Sequence, residues 1–474
     1  MSDPDHRLSR RRFLSQGAAA ALGAAGAWLP AGPTAGAGPL SGTGSDGEPE
    51  KRRLTLGFIP LTDCAPLAVA AARGFFAEEG LEVALSREPS WAAIRDKVAM
   101  GVLDGAHMLA GMPIAASLGV GGFHHPMVTA LSLNLNGNAV TVSGELHARM
   151  AAADPEAMAR RPVSARALKR VIEADQAAGL APLTFASVYP VSSHNYQLRY
   201  WLAAGGIDPD RDVRLIVIPP AKMVDNLAAN RIAGYCVGEP WNQVAVARGI
   251  GHAVITGYEI WNNAPEKVFG VTREWAEAHP ATHRAVLRAL IRACAWLDVP
   301  GNRAQAAELI ARAEYVDADP ALLRRALAGG FQYHPGSQPE ALPDFNVFHR
   351  YAANFPWRSH AAWFVAQMLR WGQIPHAVDL RRAAIEVYRP EIYREVAAGL
   401  DIPAPAEDSK VEGAHAESWT LATPDGALAM GPDRLVDGRV FDPAHPVDYL
   451  AEFPMHARAA PLDELRALNV PQQA

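Results

Sequence analysis

A chain of 474 residues exceeds what one ordinary hydrophobic core accommodates and predicts two or three compact units. Hydrophobic residues make up 49% and charged residues 20%, the balance of a soluble globular protein, and a formal net charge of −6 leaves no basic excess to neutralise phosphates, which excludes a general nucleic-acid binder. Cys64, Cys236 and Cys294 lie far apart with no CxxC pair; this excludes a disulfide framework and a cysteine zinc site and reads as small buried hydrophobes.

The first segment reads as an export signal. Arg10-Arg11-Arg12-Phe13-Leu14 precedes an uncharged, alanine-rich run from Gly17 to Leu29, and Ala35-Gly36-Ala37 supplies the small residues a signal peptidase needs. Paired arginines before Phe-Leu resemble the twin-arginine class, so residues 1–37 are expected to engage that export machinery and leave a soluble periplasmic protein. No cysteine stands near the cleavage site to carry a lipid. Residues 38–52 form a polar leader that does not pack.

From Arg53 onward the pattern is that of α/β structure. Leu54 to Pro60 alternates like a buried strand, Ala65 to Glu79 has helical spacing, and Leu81 to Leu85 alternates again. Trp91 to Met100 reads as a helix and Gly105 to Leu109 as a short strand. This succession predicts a parallel sheet covered on both faces. From about Ser143 the pattern restarts: helix Ala165–Ala177, strand Leu183–Ala186, helix Ser193–Ala204, strand Val213–Ile218, helix Lys222–Asn230 and strand Ala233–Val237. The expected organisation is a first lobe of residues 53–142 and 251–455, interrupted by a second lobe of residues 143–250. The first lobe carries a helix-rich C-terminal extension (Pro280–Leu297, Arg303–Ala313, His360–Arg370), with Val440–Pro443 and Tyr449-Leu450 as packing anchors and a tail from 456 to 474.

Catalytic signatures are absent from the sequence: no GxSxG elbow, Walker A loop, HExxH or GxGxxG after a strand. The polar and aromatic residues that stand out lie at strand ends, where open α/β sheets place ligands. Trp91 follows the second strand, Ser193-His194 open a helix, Gly238-Glu239-Pro240-Trp241 follow the Val237 strand, and Lys267 sits in Pro265-Glu266-Lys267-Val268. A helix N-terminus offers free N–H groups to an anion, a lysine adds a charge-assisted hydrogen bond, and an indole adds a directed neutral donor. His124-His125 lacks a third ligand at useful spacing, and Glu314, Asp317 and Asp319 lack EF-hand spacing and read as a helix-start cluster.

Several strings together resemble the nitrate- and bicarbonate-binding proteins of ABC transporters: Leu56 to Leu67 with Ala72-Arg73-Gly74-Phe75-Phe76, Ser90-Trp91 with Arg95-Asp96, Asn134 to Ala139, Ser193-His194 with Leu198 to Ala203, Gly238 to Asn242, and Pro265 to Val268. The resemblance covers most of residues 53–455. It implies a two-lobed periplasmic-binding fold of type II, each lobe a mixed, mostly parallel sheet flanked by helices. In that family a tryptophan, a histidine and a lysine hold the planar anion, which places Trp91, His194 and Lys267 in those roles, with backbone groups near Pro220, Val237 and Gly238 completing the pocket. A glutamine of the nitrate branch has no clear counterpart; Asn138 is the nearest polar candidate.

The bicarbonate branch carries an acidic residue in place of Lys267 and recruits calcium, so the lysine points to nitrate or nitrite and to no cofactor. The resemblance further implies a monomer that delivers its ligand to a membrane permease and its ATPase. Competing readings are a receptor for bicarbonate, sulfonate or another small anion, a nitrate sensor, or an enzyme like the thiamine-pyrimidine synthases. The last would need a histidine- and cysteine-rich stretch that the chain lacks.

Overall fold

The computed structural model describes residues 47–424 and 426–470. The expected signal segment and most of the leader lie outside the described residues, as do the last four positions. Among the described residues no helix is long and apolar enough to cross a membrane.

Two sheets organise the chain. Strands β1 (Arg53–Phe58), β2 (Glu82–Arg87), β3 (Gly105–Leu109), β4 (Met127–Asn136) and, much later, β10 (Pro265–Thr272) build the first in the order β2-β1-β3-β10-β4, with the two-residue strand Asn346–Val347 paired antiparallel outside β4. Strands β5 (Asn138–Ser143), β6 (Thr184–Ser187), β7 (Arg214–Val217), β8 (Gly234–Gly238) and β9 (Gly251–Thr256) build the second in the order β7-β6-β8-β5-β9. The two orders are the same device used twice. In each sheet the strand arriving from the other half is inserted beside the third strand: β10 next to β3, and β5 next to β8. The inserted strands run antiparallel to their neighbours, while β1 pairs in parallel with β2 and β3, and β6 with β7 and β8.

Both sheets are therefore mixed, with more antiparallel pairing than strand–helix alternation predicts. The additional strands are β4, β5, β9 and β10. Every residue of β4 is buried, so it shows no inside–outside alternation, and its polar residues pass for loop chemistry. Most of their polar atoms are satisfied internally: Ser132 Oγ donates to the Lys267 carbonyl, and Asn136 Nδ2 donates to Asn263 Oδ1 and the Asp344 carbonyl. The second sheet accordingly takes in Asn138–Ser143 and Gly251–Thr256, so its edges fall outside the expected 143–250. The expected helix over Ala65–Glu79 is broken into Ala65–Ala72 and Phe75–Glu78 by Gly74, which sits at φ +78°.

The chain crosses between sheets twice, at Gly137 and through residues 257–264. Asn136 and Gly137 are both left-handed, at φ 58° and 99°, and a Cβ on Gly137 would come within 2.4 Å of Asn346 Oδ1. Gly137→Ala is therefore expected to cost on the order of 1–3 kcal/mol, read as a lower urea midpoint at unchanged m-value.

Helix Pro280–Asp298 packs on β4 and on the Ala65–Ala72 helix. The C-terminal segment reaches both lobes. From helix Ser193–Ala204, Tyr200 Oη donates to Asp437 at 2.8 Å and Tyr196 Oη to Gln373, while Trp363 Nε1 donates to Tyr449 Oη at 3.1 Å. Phe441, Tyr449 and Leu450 are buried as expected of anchors, whereas Val440 is exposed. Asp319 caps helix Pro320–Leu327 by accepting from the Ala321 N–H, the helix-start role expected of that acidic cluster.

Candidate functional site

The strand ends of both sheets meet over a closed, buried polar cluster. Three local devices aim its side chains. Ser90 caps helix Trp91–Ala99 through the Ala93 N–H, which turns Trp91 inward at the first helical position. Ser192 caps helix Ser193–Ala204 through the Asn195 N–H, placing Ser193 and His194 in the first turn. On β10 the pairing with β4 slips around Lys267. Neighbouring residues of a regular strand point to opposite faces, but a bulge re-aims one of them, and here Glu266 and Lys267 both enter the cluster.

Lys267 Nζ donates to Glu266 Oε1 at 2.5 Å and to Asp63 Oδ2 at 2.7 Å, and lies 5.6 Å from the centre of the Trp91 ring. Asp63, in the turn after β1, also faces His107 Nε2 of β3 at 2.9 Å. A carboxylate can only accept, so His107 carries its proton on Nε2. Glu266 Oε2 accepts from Asn138 Nδ2 at 2.8 Å and from Ser193 Oγ. His194 Nε2 lies 3.0 Å from Glu266 Oε1, in an alignment too poor for a hydrogen bond. All of these groups are buried.

Two carboxylates therefore share one ammonium. Burial by itself would raise Asp63, but the Lys267 charge and His107 outweigh it and hold the carboxyl well below its usual range. At Glu266 burial is likewise outweighed, by His194 and Lys267, and the carboxyl falls to about 2. Burial disfavours the Lys267 ammonium, yet Asp63 and Glu266 over-compensate and raise it. Burial lowers His107, leaving it neutral. Nearby Glu239, whose carboxylate accepts mainly the Gln243 N–H, is pushed by burial to about 8.

The lobes touch around this cluster. The Thr62 N–H donates to the Glu239 carbonyl at 2.8 Å, and Trp241 Nε1 to the Pro60 carbonyl at 3.3 Å. Buried donors and acceptors nonetheless stay unpartnered within the protein: Trp91 Nε1, both His194 ring nitrogens, and both amide atoms of Gln197. Leaving such groups unpaired costs about 1–3 kcal/mol each, which an arriving polar ligand recovers.

Of the residues singled out in the sequence, Trp91, His194 and Lys267 converge. Gly238 lies beside them, since a Cβ there would stand 3.5 Å from His194 Nε2 and 3.7 Å from Asp63 Oδ2. Asn138 joins by holding Glu266. The Val237 carbonyl is already taken by Asn242 Nδ2 at 2.8 Å. Pro220 opens the turn after β7, the outer strand of the second sheet, and joins none of the cluster's hydrogen bonds or ion pairs among the described residues.

This arrangement can be set beside known proteins. The profile of the NMT1-like family matches residues 47–311, more than half of the chain. The chain belongs to the NMT1-like family. Within 86% of its length it is 39% identical to the nitrate import ATP-binding protein NrtC of Synechocystis and 38% identical to the bicarbonate transport ATP-binding protein CmpC of the same organism; it spans only 56% of either relative. It is 30% identical to the Synechocystis nitrate/nitrite-binding protein NrtA over 85% of both chains. The crystal structure of that periplasmic nitrate-binding protein superposes at a TM-score of 0.75, with 29% identity, covering 86% of this chain and 100% of the other. The two-lobed binding-protein fold expected from the sequence is thereby established.

Against this family background, sequence reasoning missed the partners of the lysine. Asp63 lies in an ordinary turn sequence, Glu266 is set apart by nothing but its place beside Lys267, and His107 sits inside a short apolar strand. Gln197 had a usable signal: it stands three residues after His194, on the same face of the helix, and a Cβ on Gly257 would touch both it and Asn138.

Proposed function

We propose that the chain is the solute-binding part of an ABC-type importer and captures nitrate or nitrite in the cleft between its lobes. The observation that carries this reading is the convergence of Trp91, His194 and Lys267 in one buried cluster in which the Trp91 indole N–H and His194 Nδ1 have no protein partner. Such donors suit a small planar oxyanion, and the nitrate-binding relative of the same fold adds weight. No bond-making step is assigned to the site. The lobes would open through the two crossings, admit the anion, and close on it before docking with a permease and its ATPase. Residues 1–37 are proposed to direct twin-arginine export to the periplasm.

The cluster adds a condition to binding. With Asp63 and Glu266 ionised and His107 neutral, one lysine faces two negative charges before any ligand arrives. A further anion in a buried space favours protonation of the neutral His107 in the same cluster. Binding should then take up a proton, so affinity is greatest at acidic pH and falls as pH rises through the imidazole range. Titration calorimetry of nitrate in buffers of differing ionisation enthalpy is expected to show this uptake, together with a thermal upshift that urea does not reproduce. An equal shift with nitrate and urea would remove the anion reading.

A second reading is favoured by Glu266. A carboxylate in the site accepts a hydrogen bond from an anion that carries its own proton, such as bicarbonate, but repels one that does not. Calcium does not fit this arrangement, because the Lys267 ammonium already stands between the two carboxylates that would ligate it.

A further inference from the structure

Away from the anion cluster, His147, His252 and His334 come together from three parts of the chain. His147 projects from helix Gly144–Ala153, His252 from β9, and His334 from the turn that follows the short strand Gly330–Phe331. One ring nitrogen of each lies within 4.8 Å of the others, and all three side chains are half-buried, within reach of solvent. We propose that these imidazoles form a binding site for a divalent transition-metal ion of the zinc type, with a fourth position open to water or an exogenous ligand.

The geometry carries the assignment. Zinc–imidazole bonds of about 2.0–2.1 Å in a tetrahedral site set the nitrogens roughly 3.3 Å apart. His252 Nδ1 and His334 Nδ1 are 3.1 Å apart. A hydrogen bond between them satisfies that pair but leaves the third ring unexplained. His147 stacks on His252 with centroids 4.0 Å apart and planes within 8°. Lone pairs of parallel rings do not converge, so His147 must tilt out of the stack to complete the set. Burial and mutual repulsion hold His252 and His334 at about 4, and burial lowers His147, so each imidazole is neutral with a lone pair to offer. An all-imidazole set suits zinc, cobalt, nickel or copper rather than the oxygen-seeking calcium and magnesium.

The backbone around the site is already held. The Ala253 N–H donates to the Tyr333 carbonyl at 2.9 Å, Ser337 Oγ donates to the His334 carbonyl, and Gln243 and Gln332 exchange hydrogen bonds. The ion would pin the Phe331–Ser337 segment to the edge of the second sheet. Tyr333 also donates to Glu259 in the crossing that leads to Glu266 and Lys267, so the pinned segment adjoins the hinge.

The test is calorimetric titration of the tag-free full chain with zinc chloride, paired with the visible spectrum of the cobalt-substituted protein. One ion per chain is expected, with the absorption of four-coordinate cobalt. His252→Ala and His334→Ala should each weaken zinc at least tenfold while keeping the metal-free unfolding temperature; should either fail to fold, His147→Asn, on an outer helix, serves instead. A His124→Ala/His125→Ala double variant should bind zinc like the parent. Absence of micromolar zinc uptake by the parent, or unchanged affinity in the cluster variants, overturns the site.

Discussion

Lys267→Met is expected to abolish nitrate binding and to destabilise the protein by about 3–5 kcal/mol at neutral pH, the cost of stranding buried charges without their partner. The ammonium is the counter-charge of both Asp63 and Glu266, at 2.7 and 2.5 Å, and none of the three side chains reaches solvent. The pH dependence gives the test its specificity. In the parent both carboxyls are depressed on folding, so the stability they contribute is present above their unfolded values near 4 and is lost as pH falls toward their folded values. In the variant two buried carboxyls without their ammonium counter-charge titrate upward instead, so stability is greatest at low pH and is lost as pH rises. The gap between the proteins should therefore narrow from pH 7.5 to pH 5 in urea denaturation. A constant gap would show that the lysine acts through packing and not through its charge.

Glu266→Gln is expected to tighten nitrate binding at least tenfold and to reduce the accompanying proton uptake. The Glu266 carboxylate is itself a planar anion, gripped by Lys267, Ser193 and Asn138 beside His194 at a helix N-terminus. It stands in the kind of place that an incoming oxyanion needs, and it repels that oxyanion. Glutamine keeps the shape and one acceptor oxygen while removing the charge and releasing part of the lysine. Calorimetry separates the two proposed ligand classes: tighter nitrate with weaker bicarbonate supports the competition, whereas loss of both would mean that the carboxylate is needed to hold the ligand. Unchanged nitrate affinity would place Glu266 outside the binding event.

Much of this protein was legible before any tertiary contact was known. The strand-to-helix transitions that carry Trp91 and His194 announce themselves through Ser90 and Ser192, because a hydroxyl that caps a helix acts on N–H groups two or three residues away. The strands β1, β2, β6 and β8 are legible for a similar local reason: β1 and β2 alternate apolar with polar residues, and β6 and β8 are short, mostly apolar runs. By contrast β4 and β10 are buried throughout or nearly so and carry polar residues, so their character depends on partners more than a hundred positions away.

Local chemistry along the chain was thus sufficient for the repeated α/β plan and for marking Trp91, His194 and Lys267 at strand ends, while their grouping as ligand residues followed from the family resemblance. What only the folded molecule decided is the company those residues keep. Asp63 and Lys267 are separated by 204 positions, and no periodicity or spacing rule links such a pair; the inserted strand β10 and its bulge do. Charge balance in a buried site is a property of neighbours in space, and so the state of the lysine, alone or shared between two carboxylates, was settled by topology.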